Sequence, residues 1–316
     1  MAFAAPDFKR IDDASIEISP YTLNTPVFSS RSLNQMTGAS LFFKCENFQR
    51  AGAFKMRGAA HAALRLTEEQ RQKGLATHSS GNHGQAVAAM AQALGVPAYI
   101  VMPENSTKAK VAAVQGYGGE VIYCESTQAA REATLQRVVE EKGAYFIHPY
   151  DDWDVIAGQA TCAKELLEEV DVLHTILVPV GGGGLVSGTC LSAKYLSPTT
   201  EVIGGEPTGA DDAFRSFSSG NLVGNESVNT ICDGLRASLG QKPFSIIQEH
   251  LTDIVTVTDK EVVHAMRLIW ERMKIVIEPS CAVPFAVVLK NTERFAGKRL
   301  GIILTGGNVD VTNLPF

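Results

Sequence analysis

The sequence lacks the hallmarks of nucleic-acid-binding, membrane and secreted proteins. Its 316 residues carry a formal net charge of -6, and this balance weighs against a nucleic-acid partner, which needs a basic surface. No uninterrupted apolar stretch reaches the ~18 residues of a membrane span. The first residues show no apolar run after a basic start, so no secretory signal is recognisable. We therefore expect neither a nucleic-acid nor a membrane partner.

Paired cysteines are also missing. The six cysteines are scattered singly and none belongs to a C-x-x-C pair, which argues against a zinc site and against a disulfide framework. Most of them lie in apolar runs and are expected to pack as small core residues. Unpaired thiols fit a reducing compartment best, so we expect a cytoplasmic protein. The cysteines are Cys45, Cys124, Cys162, Cys190, Cys232 and Cys281.

Short apolar runs alternate with helical stretches along most of the chain. Runs such as ILVPV and GIILT are apolar without alternation, which is typical of strands buried on both faces of a parallel sheet. Helical stretches such as NHGQAVAAMAQAL lie between the runs, so the pattern predicts an α/β fold with helix-covered parallel sheets. The predicted strands span residues 41–44, 75–78, 98–102, 120–124, 145–148, 174–180, 201–206 and 301–305.

A run of four glycines follows one predicted strand, in VPVGGGGLVSGT (178–189). Glycines leave room for a ligand, and their N–H groups together with the start of the next helix attract an anion. The run departs from G-x-G-x-x-G, because Val186 and Ser187 stand where the third glycine would fall, and it lacks the G-K-[ST] of a P-loop. We therefore predict a phosphate site that does not suit a dinucleotide or a nucleoside triphosphate. The glycines are Gly181, Gly182, Gly183 and Gly184.

Two other strand ends carry polar turns that contain glycine. In ATHSSGNHGQAVA (76–88), Ser79, Ser80 and Asn82 suit a helix N-cap, and the side chains and exposed N–H groups of this turn favour a substrate carboxylate. In LTGGNVD, Thr305 follows a buried strand. Open α/β sheets bind ligands where their strands end, so we expect these turns to share one site.

A lone lysine stands in FQRAGAFKMRGA (48–59), where Lys55 is predicted to begin a helix. Most lysines are exposed to solvent, so the position alone does not establish a role. Ala51, Gly52 and Ala53 precede it, and such small residues let a ligand approach the backbone. A lysine, a phosphate site and a carboxylate site together indicate an enzyme that uses pyridoxal phosphate on an amino acid, because lysine forms the Schiff base with this cofactor.

These four motifs, in this order, resemble the fold-type II pyridoxal phosphate enzymes, the tryptophan-synthase-β-like group, and within it the serine racemase and serine/threonine dehydratase family. The resemblance runs from NTPVFSSRSLNQ (24–35) to GGNVDVT (306–312). It implies a homodimer of two-domain subunits, each domain with a largely parallel, helix-covered open sheet. Residues 1–73 and 151–316 would form the large cofactor-binding domain, and residues 74–150 the small, mobile domain that closes on the substrate.

The resemblance implies cofactor contacts residue by residue. Lys55 would bind pyridoxal phosphate covalently, with Phe54 near the ring, and Asn82 would reach the ring hydroxyl. The four glycines would hold the phosphate, and Thr305 would face the pyridine nitrogen. A neutral hydroxyl does not keep a proton on that nitrogen, which suits β-elimination because the leaving group quickly removes the carbanion's charge.

The resemblance also places Ser80 on the face of the substrate opposite Lys55. Two bases on two faces let the α-proton leave one side and return on the other, so racemisation accompanies elimination. Ser79, Asn82 and His83 would help to hold the substrate carboxylate. The implied enzyme is an ammonia-lyase with racemase activity, which converts L-serine to D-serine and to pyruvate plus ammonia, with threonine as a further candidate substrate.

The residues at two positions leave the identity of the substrate undecided. Tyr150 stands where mammalian serine racemase has an asparagine, and an aromatic residue there is more dehydratase-like. Arg236 lies in a loop that borders the substrate in this family, and a cation there would pair with a second carboxylate. A 3-hydroxyaspartate dehydratase that gives oxaloacetate and ammonia is therefore an alternative. More distant alternatives are a β-replacement enzyme and an idle amino-acid sensor, although the presence of Lys55 and Ser80 speaks against the sensor.

The resemblance implies two further ligands. In GGEPTGADDAF (204–214), Glu206, the carbonyl of Ala210 and Asp212 would bind Mg²⁺ or Ca²⁺, which prefer oxygen ligands. ATP would bind as an effector at the dimer interface, where two cations beside hydroxyl groups suit a triphosphate. That surface would comprise Ser29, Ser30, Gln85, Tyr117, Arg272, Lys274 and Asn308.

Overall fold

The strands form two separate sheets in the computed structural model, which describes residues 5–316. The strands are β1 (Val27–Phe28), β2 (Ser40–Cys45), β3 (Leu75–His78), β4 (Ala98–Pro103), β5 (Glu120–Cys124), β6 (Tyr145–Phe146), β7 (Thr175–Pro179), β8 (Glu201–Pro207), β9 (Asp253–Val257) and β10 (Arg299–Leu304).

Helices connect these strands and cover the sheets. The first seven are α1 (Phe8–Ile18), α2 (Arg31–Thr37), α3 (Lys55–Leu64), α4 (Glu68–Gln72), α5 (Asn82–Leu94), α6 (Lys108–Gly116) and α7 (Gln128–Lys142). The others are α8 (Trp153–Glu169), α9 (Gly184–Leu196), α10 (Asp212–Ser219), α11 (Gln241–His250), α12 (Asp259–Met273), α13 (Pro279–Lys290) and α14 (Thr292–Phe295). Within the described part of the chain, none of these helices is long and apolar enough to cross a membrane.

The larger sheet has the strand order β1-β2-β10-β7-β8-β9, and the smaller one the order β5-β4-β3-β6. Strand β1 runs antiparallel to β2, whereas the remaining neighbours within residues 5–316 are parallel. The predicted fold class, an α/β fold with two largely parallel sheets, is confirmed. All four strands of the smaller sheet lie within the segment 74–150. The domain boundaries themselves stay a prediction.

The sequence analysis missed β1 and β9, which lie at the two edges of the larger sheet. Strand β1 has two residues, and β9 (DIVTV) mixes polar and apolar side chains, so neither forms an apolar run. Strand β6 is shorter than predicted and ends at Phe146. The next carbonyl, of Ile147, accepts a hydrogen bond from the His83 ring (2.9 Å) rather than from a strand.

The central strands are buried on both faces, as their unbroken apolar runs predict. In β7, Ile176 and Val178 pack in a hydrophobic cluster with residues of α8, α9 and α11. Leu177, between them, packs in a second cluster with residues of α12 and α13. The carboxyl ends of β7 and β10 are therefore held rigidly from both sides of the sheet.

Helix α3 links the two halves of the molecule. Its Met56, with the alanines of the helix, belongs to the same hydrophobic cluster as Leu75 and Ile100 of the smaller sheet. On its other side it crosses α8 very closely. A Cβ atom on Gly158 of α8 would lie 2.6 Å from the Arg57 carbonyl oxygen. Only a glycine allows this approach, which fixes the start of α3 relative to α8.

A buried ion network fastens the same helix to the larger sheet. Arg57 donates from Nε and Nη2 to the two Glu46 oxygens (both 2.8 Å), and from Nη1 and Nη2 to the two Glu165 oxygens (2.6 and 2.7 Å). Lys44 of β2 completes the network with a contact of 2.7 Å to Glu165. Burial alone would raise the pKa of Glu46, but the charge and hydrogen bonds of Arg57 lower it below its usual value. Two cations thus balance two carboxylates.

Replacing the central cation should unfold much of this arrangement. We expect Arg57→Met to lower the free energy of unfolding by about 3–5 kcal/mol, because it leaves the two carboxylates with Lys44 as the single cation of the network. The control is Arg294→Met, which removes an exposed ion pair to Asp253 (2.6 Å) and should cost at most about 1 kcal/mol. Urea denaturation of the cofactor-free protein measures both. A loss at Arg57 no larger than that at Arg294 would contradict the anchoring role.

Candidate active site

The residues predicted to bind the cofactor lie in the region between the two sheets, which we call the cleft. Thr305 directly follows β10, Gly181 lies just beyond β7, and Ser79 directly follows β3. Lys55 is the first residue of α3, as predicted. The Phe54 N–H donates to the Thr305 carbonyl oxygen (3.0 Å), which ties the start of α3 to the end of β10. The cleft therefore collects the carboxyl ends of strands from both sheets, where open α/β sheets bind ligands.

Lys55 is half-buried and its amine faces the connection that leaves the smaller sheet. Its Nζ donates to the Pro149 carbonyl oxygen (2.7 Å) and lies 5.1 Å from the centroid of the Phe54 ring. Burial lowers the pKa of Lys55 to about 8. An amine with this pKa is partly neutral near physiological pH, and the neutral form is the one that attacks a carbonyl carbon.

The glycine run connects β7 to α9, and side chains would not fit there. Gly183 has a φ of 90°, a left-handed conformation that favours glycine. A Cβ atom on Gly182 would lie 2.3 Å from the Tyr150 ring, and one on Gly181 would lie 3.0 Å from the Leu235 Cα atom. The loop also precedes the N-terminus of the thirteen-residue helix α9. This geometry fits the predicted phosphate site.

The serine-rich turn between β3 and α5 differs from the prediction in one respect. The N-cap of α5 is Gly81, and no side chain caps the helix, so the expected capping by Ser79, Ser80 or Asn82 is wrong. Asn82 is instead the first residue of the helix, and the Ser79 hydroxyl accepts a hydrogen bond from the Gly81 N–H (3.3 Å). Ser79 and Ser80 are half-buried at the cleft. The hydroxyl hydrogens of both serines and the first N–H groups of α5 are thereby left for a ligand.

His83 is buried and neutral. Burial lowers its pKa well below the usual value, and the nearby Lys55 adds to this effect. Its Nε2 contacts the Ile147 carbonyl oxygen (2.9 Å), while its Nδ1 has no partner within residues 5–316. Because a carbonyl only accepts, Nε2 carries the proton and Nδ1 is an acceptor. In this state His83 does not donate to a substrate carboxylate, so its expected role would require a different tautomer.

Glu278 is a site residue that the sequence analysis missed. It is 4% exposed and precedes α13 as its N-cap. The Asn82 amide nitrogen donates to its two carboxyl oxygens (2.8 and 3.1 Å). Burial raises the pKa of Glu278 to about 8, and the nearby Asp233 adds to the rise. The sequence offered one local signal, the E-P-S start of a helix, but nothing that placed this carboxyl in the cleft.

The two positions that bear on the substrate are both near the glycine loop. The Tyr150 ring lies against Gly182, and burial raises the pKa of its hydroxyl to about 12, so it stays protonated. Arg236 is exposed and follows Leu235, which packs on Gly181. Its Nε and Nη2 donate to the Thr230 carbonyl oxygen (3.2 and 2.7 Å). The arginine is therefore held by its own loop rather than pointing freely into the cleft.

The residues of the predicted metal loop lie together at the end of β8. Glu206 and Asp212 are 0% and 1% exposed, and Ala210 is also buried. The Glu206 oxygens accept from the Ala213 and Phe214 N–H groups (3.0 and 2.8 Å). Burial raises the pKa of Glu206 to about 9, with a further rise from Asp212, and burial also raises the pKa of Asp212. Two buried carboxyl groups that repel each other form a donor set that suits a hard cation.

Part of the predicted nucleotide surface is brought together. Ser29, Ser30 and Arg272 line a cavity of about 500 Å³. Asn308 instead donates to the Ala51 carbonyl oxygen and to Asn82 (2.8 and 2.9 Å). Gln85, Tyr117 and Lys274 are not among the residues that line this cavity.

The chain is similar to proteins of known activity over nearly its whole length. It is 48% identical to the β-hydroxyaspartate dehydratase of Paracoccus denitrificans, covering 98% of this chain and 99% of that protein. It is 44% identical to the serine racemase of Dictyostelium discoideum, covering 98% and 97%. The structure of maize serine racemase superimposes with a TM-score of 0.96 at 43% identity, covering 98% of this chain and 95% of that one. Residues 18–306 match the family described as pyridoxal-phosphate dependent enzyme, and the chain therefore belongs to this family.

Proposed function

We propose that the protein is a pyridoxal phosphate-dependent ammonia-lyase that acts on L-serine and also racemises it. The observation that carries the proposal is the half-buried Lys55 amine, whose pKa is lowered to about 8, at a cleft that also contains the glycine loop and Thr305. Serine racemases from two organisms, at 43% and 44% identity, support serine as the substrate. The products would be D-serine, and pyruvate plus ammonia.

The residues of the cleft fit this cofactor. Four successive residues of the glycine loop carry no side chain that would shield their backbone N–H groups from a phosphate, and the start of α9 adds a favourable dipole. Phe54 would lie beside the ring, Asn82 would reach the ring hydroxyl, and Thr305, which is 3% exposed, would face the ring nitrogen. A hydroxyl there is neutral and does not hold a proton on that nitrogen.

The chain's own groups would then move the protons. When bound, pyridoxal phosphate withdraws electrons from the substrate's α-carbon and makes its proton acidic. The Lys55 amine, in its neutral form, takes that proton at Nζ. Loss of the β-hydroxyl, which takes up a proton and leaves as water, and hydrolysis of the released aminoacrylate by a second water give pyruvate and ammonia. Delivery of a proton by the Ser80 hydroxyl from the other face instead gives D-serine. The Ser79 hydroxyl and the first N–H groups of α5 would hold the carboxylate.

A 3-hydroxyaspartate dehydratase is the second candidate. The 48% identity to a β-hydroxyaspartate dehydratase favours it. Arg236 offers a cation beside the glycine loop, although the Thr230 carbonyl already orients its guanidinium. Both candidate enzymes would use Lys55. Their substrates differ at the carbon that bears the β-hydroxyl, which carries a second carboxylate in 3-hydroxyaspartate and only hydrogen in serine, so a comparison of the two substrates separates the candidates.

Residues 74–150 would form the small domain and close over the substrate. Several polar contacts cross between this segment and the rest of the chain near the cleft, and two of them join side chains of α5 and α6 to loops of the larger part. Lys110 of α6 lies 2.7 Å from Asp233, in the loop that packs on Gly181, and Asn82 of α5 contacts Glu278. The ion pair between the partly exposed Lys110 and Asp233 is weak, which suits a closure that must reverse in each turnover.

A divalent cation and a second subunit belong to the same proposal. Glu206, Asp212 and the Ala210 carbonyl would hold Mg²⁺ or Ca²⁺, which would offset the repulsion between the two carboxylates. Exposed Phe28 and Met36 suit a homodimer contact near the cavity of about 500 Å³, where ATP would act as an effector. All six cysteines are unpaired and buried, which supports a reducing compartment such as the cytoplasm.

The rate of cofactor capture should report the lowered pKa of Lys55. We expect the rate at which cofactor-free protein binds pyridoxal phosphate to rise with pH and level off above a midpoint of about 8. A free lysine analogue treated at the same pH values is the control. It reacts with the same cofactor, so it shows any effect of the cofactor's own ionisation, but its amine does not have the lowered pKa of Lys55. A midpoint for the protein near the usual lysine value of 10.5 would contradict the environment described for Lys55.

The two-base mechanism predicts that Ser80→Ala separates the two activities. D-serine formation should fall by about 100-fold or more, the usual contribution of a positioned acid or base, while pyruvate formation from L-serine stays near that of the parent. Ser79→Ala is the matched control and should slow both reactions, since it would hold the carboxylate. Equal losses of both products in Ser80→Ala would contradict the second-base role. Faster turnover of 3-hydroxyaspartate than of L-serine by the parent would favour the second candidate function.

The metal proposal predicts that chelation lowers the melting temperature and that Mg²⁺ or Ca²⁺ restores it, because a ligand of the native state stabilises that state. Glu206→Gln should abolish the response. The control, Asp211→Asn, changes a neighbouring carboxylate that pairs with Arg215, and this variant should keep the response to the metal. A parent protein whose melting temperature is the same with and without chelator would rule out a metal at this loop.

A further inference from the structure

We propose that Glu278 is a positioning residue that fixes the orientation of the Asn82 amide, so that Asn82 presents an N–H group to the phenolic oxygen of the cofactor. The inference deepens the proposed function, because it rests on the placement of Asn82 at that oxygen. The observation behind it is a chain of three side chains in which the direction of every hydrogen bond is determined. They are Asn308, Asn82 and Glu278.

A backbone carbonyl fixes the direction of the hydrogen bonds at the Asn308 end of this series of side chains. Asn308 Nδ2 donates to the Ala51 carbonyl oxygen (2.8 Å), which only accepts hydrogen bonds. The same nitrogen donates to Asn82 Oδ1 (2.9 Å). Both hydrogens of Asn308 are thereby used. The amide of Asn82 must turn its oxygen toward Asn308 and its nitrogen away from it.

The other end is fixed by the carboxyl group. Asn82 Nδ2 lies 2.8 Å from Glu278 Oε1 and 3.1 Å from Oε2. A reversed Asn82 would turn its nitrogen toward the Asn308 nitrogen, which leaves two donors facing each other whatever the protonation state of Glu278. One Nδ2 hydrogen goes to Glu278, and the second is left for the phenolic oxygen. A donor there stabilises the phenolate form of the cofactor, whereas a carbonyl there would favour the neutral phenol.

The position of the carboxyl group is itself constrained by the backbone. The Glu278 N–H donates to the Gly306 carbonyl oxygen (3.1 Å), directly after Thr305. A Cβ atom on Gly306 would lie 2.8 Å from Glu278 Oε1, so this close approach needs a glycine. A buried carboxyl is costly, and the partner of this one is an amide rather than a cation. Such a cost is understandable where the carboxyl orients a group that binds the cofactor.

Glu278→Gln tests the inference, because both oxygens contact the same Asn82 nitrogen and either rotamer of a glutamine would bring an N–H group against it. We expect the visible absorption of the lysine-bound cofactor to shift in part to the near-ultraviolet band of the neutral phenol. The dissociation constant for pyridoxal phosphate should rise about tenfold. Glu293→Gln, at an exposed position, is the control and should change neither quantity.

A second substitution distinguishes positioning from packing. Glu278→Gln should also lower the melting temperature of the cofactor-free protein, because two donors then face each other. The double variant Glu278→Gln with Asn82→Asp restores acceptors opposite both donors, so this melting temperature should be regained. It still has no N–H group for the phenolic oxygen, so the visible band should stay reduced. Recovery of both quantities would show that Glu278 only satisfies Asn82 structurally, and would overturn the inference.

Two more variants test the inference without changing Glu278 and test the assumed position of Asn82 at the cofactor. Asn308→Asp replaces the donor that faces the Asn82 oxygen by an acceptor, so Asn82 should turn its amide around. The same spectral shift is expected, and an unchanged spectrum would overturn the inference. Asn82→Ala tests the placement on which it rests. If Asn82→Ala leaves the spectrum and cofactor affinity unchanged, that placement fails and the inference with it. If Asn82→Ala alters both and Glu278→Gln alters neither, the placement stands and the role of Glu278 is wrong.

Discussion

The double carboxylate clamp on Arg57 is the interaction on which the rest of the structure depends. Arg57 lies two residues beyond Lys55 on α3, and its guanidinium binds Glu46 beyond β2 and Glu165 on α8. These four bonds, with the close crossing at Gly158, determine where α3 begins. The reactive amine is therefore positioned by a helix fastened at its first turn, and not by a loop. A pre-organised group of this kind loses little entropy when a ligand binds.

The buried ionisable groups fall into two kinds, and the difference separates structure from function. In the network around Arg57 every charge has a partner of opposite sign, so burial does not force the carboxylates to become neutral. At the cleft, burial shifts the pKa of Lys55 down and that of Glu278 up, each to about 8, and an ion partner compensates neither. Uncompensated groups reduce stability and are retained where chemistry or binding needs them.

The sequence predicted the parts of the site whose chemistry is local. Lys55 at a helix start, the glycine run after β7 and Thr305 after β10 were all found where expected, because short motifs specify turns and helix starts directly. Glu278 and the Arg57 network were missed because they depend on pairs far apart in the chain, such as Asn82 with Glu278. The capping by Ser79 and Ser80 was wrong, since Gly81 occupies the N-cap. Propensity gave the right segment but not its hydrogen bonds.

The most direct measurement of the central claim is chemical trapping of the cofactor on the protein. Borohydride reduces the bond between pyridoxal phosphate and a lysine to a stable linkage, and peptide mapping then identifies the labelled residue. The geometry and lowered pKa of Lys55 predict a single phosphopyridoxyl group on the peptide that contains AGAFKMR, and none on that peptide in Lys55→Ala. Label on another lysine of the parent protein, or undiminished label in Lys55→Ala, would contradict the account.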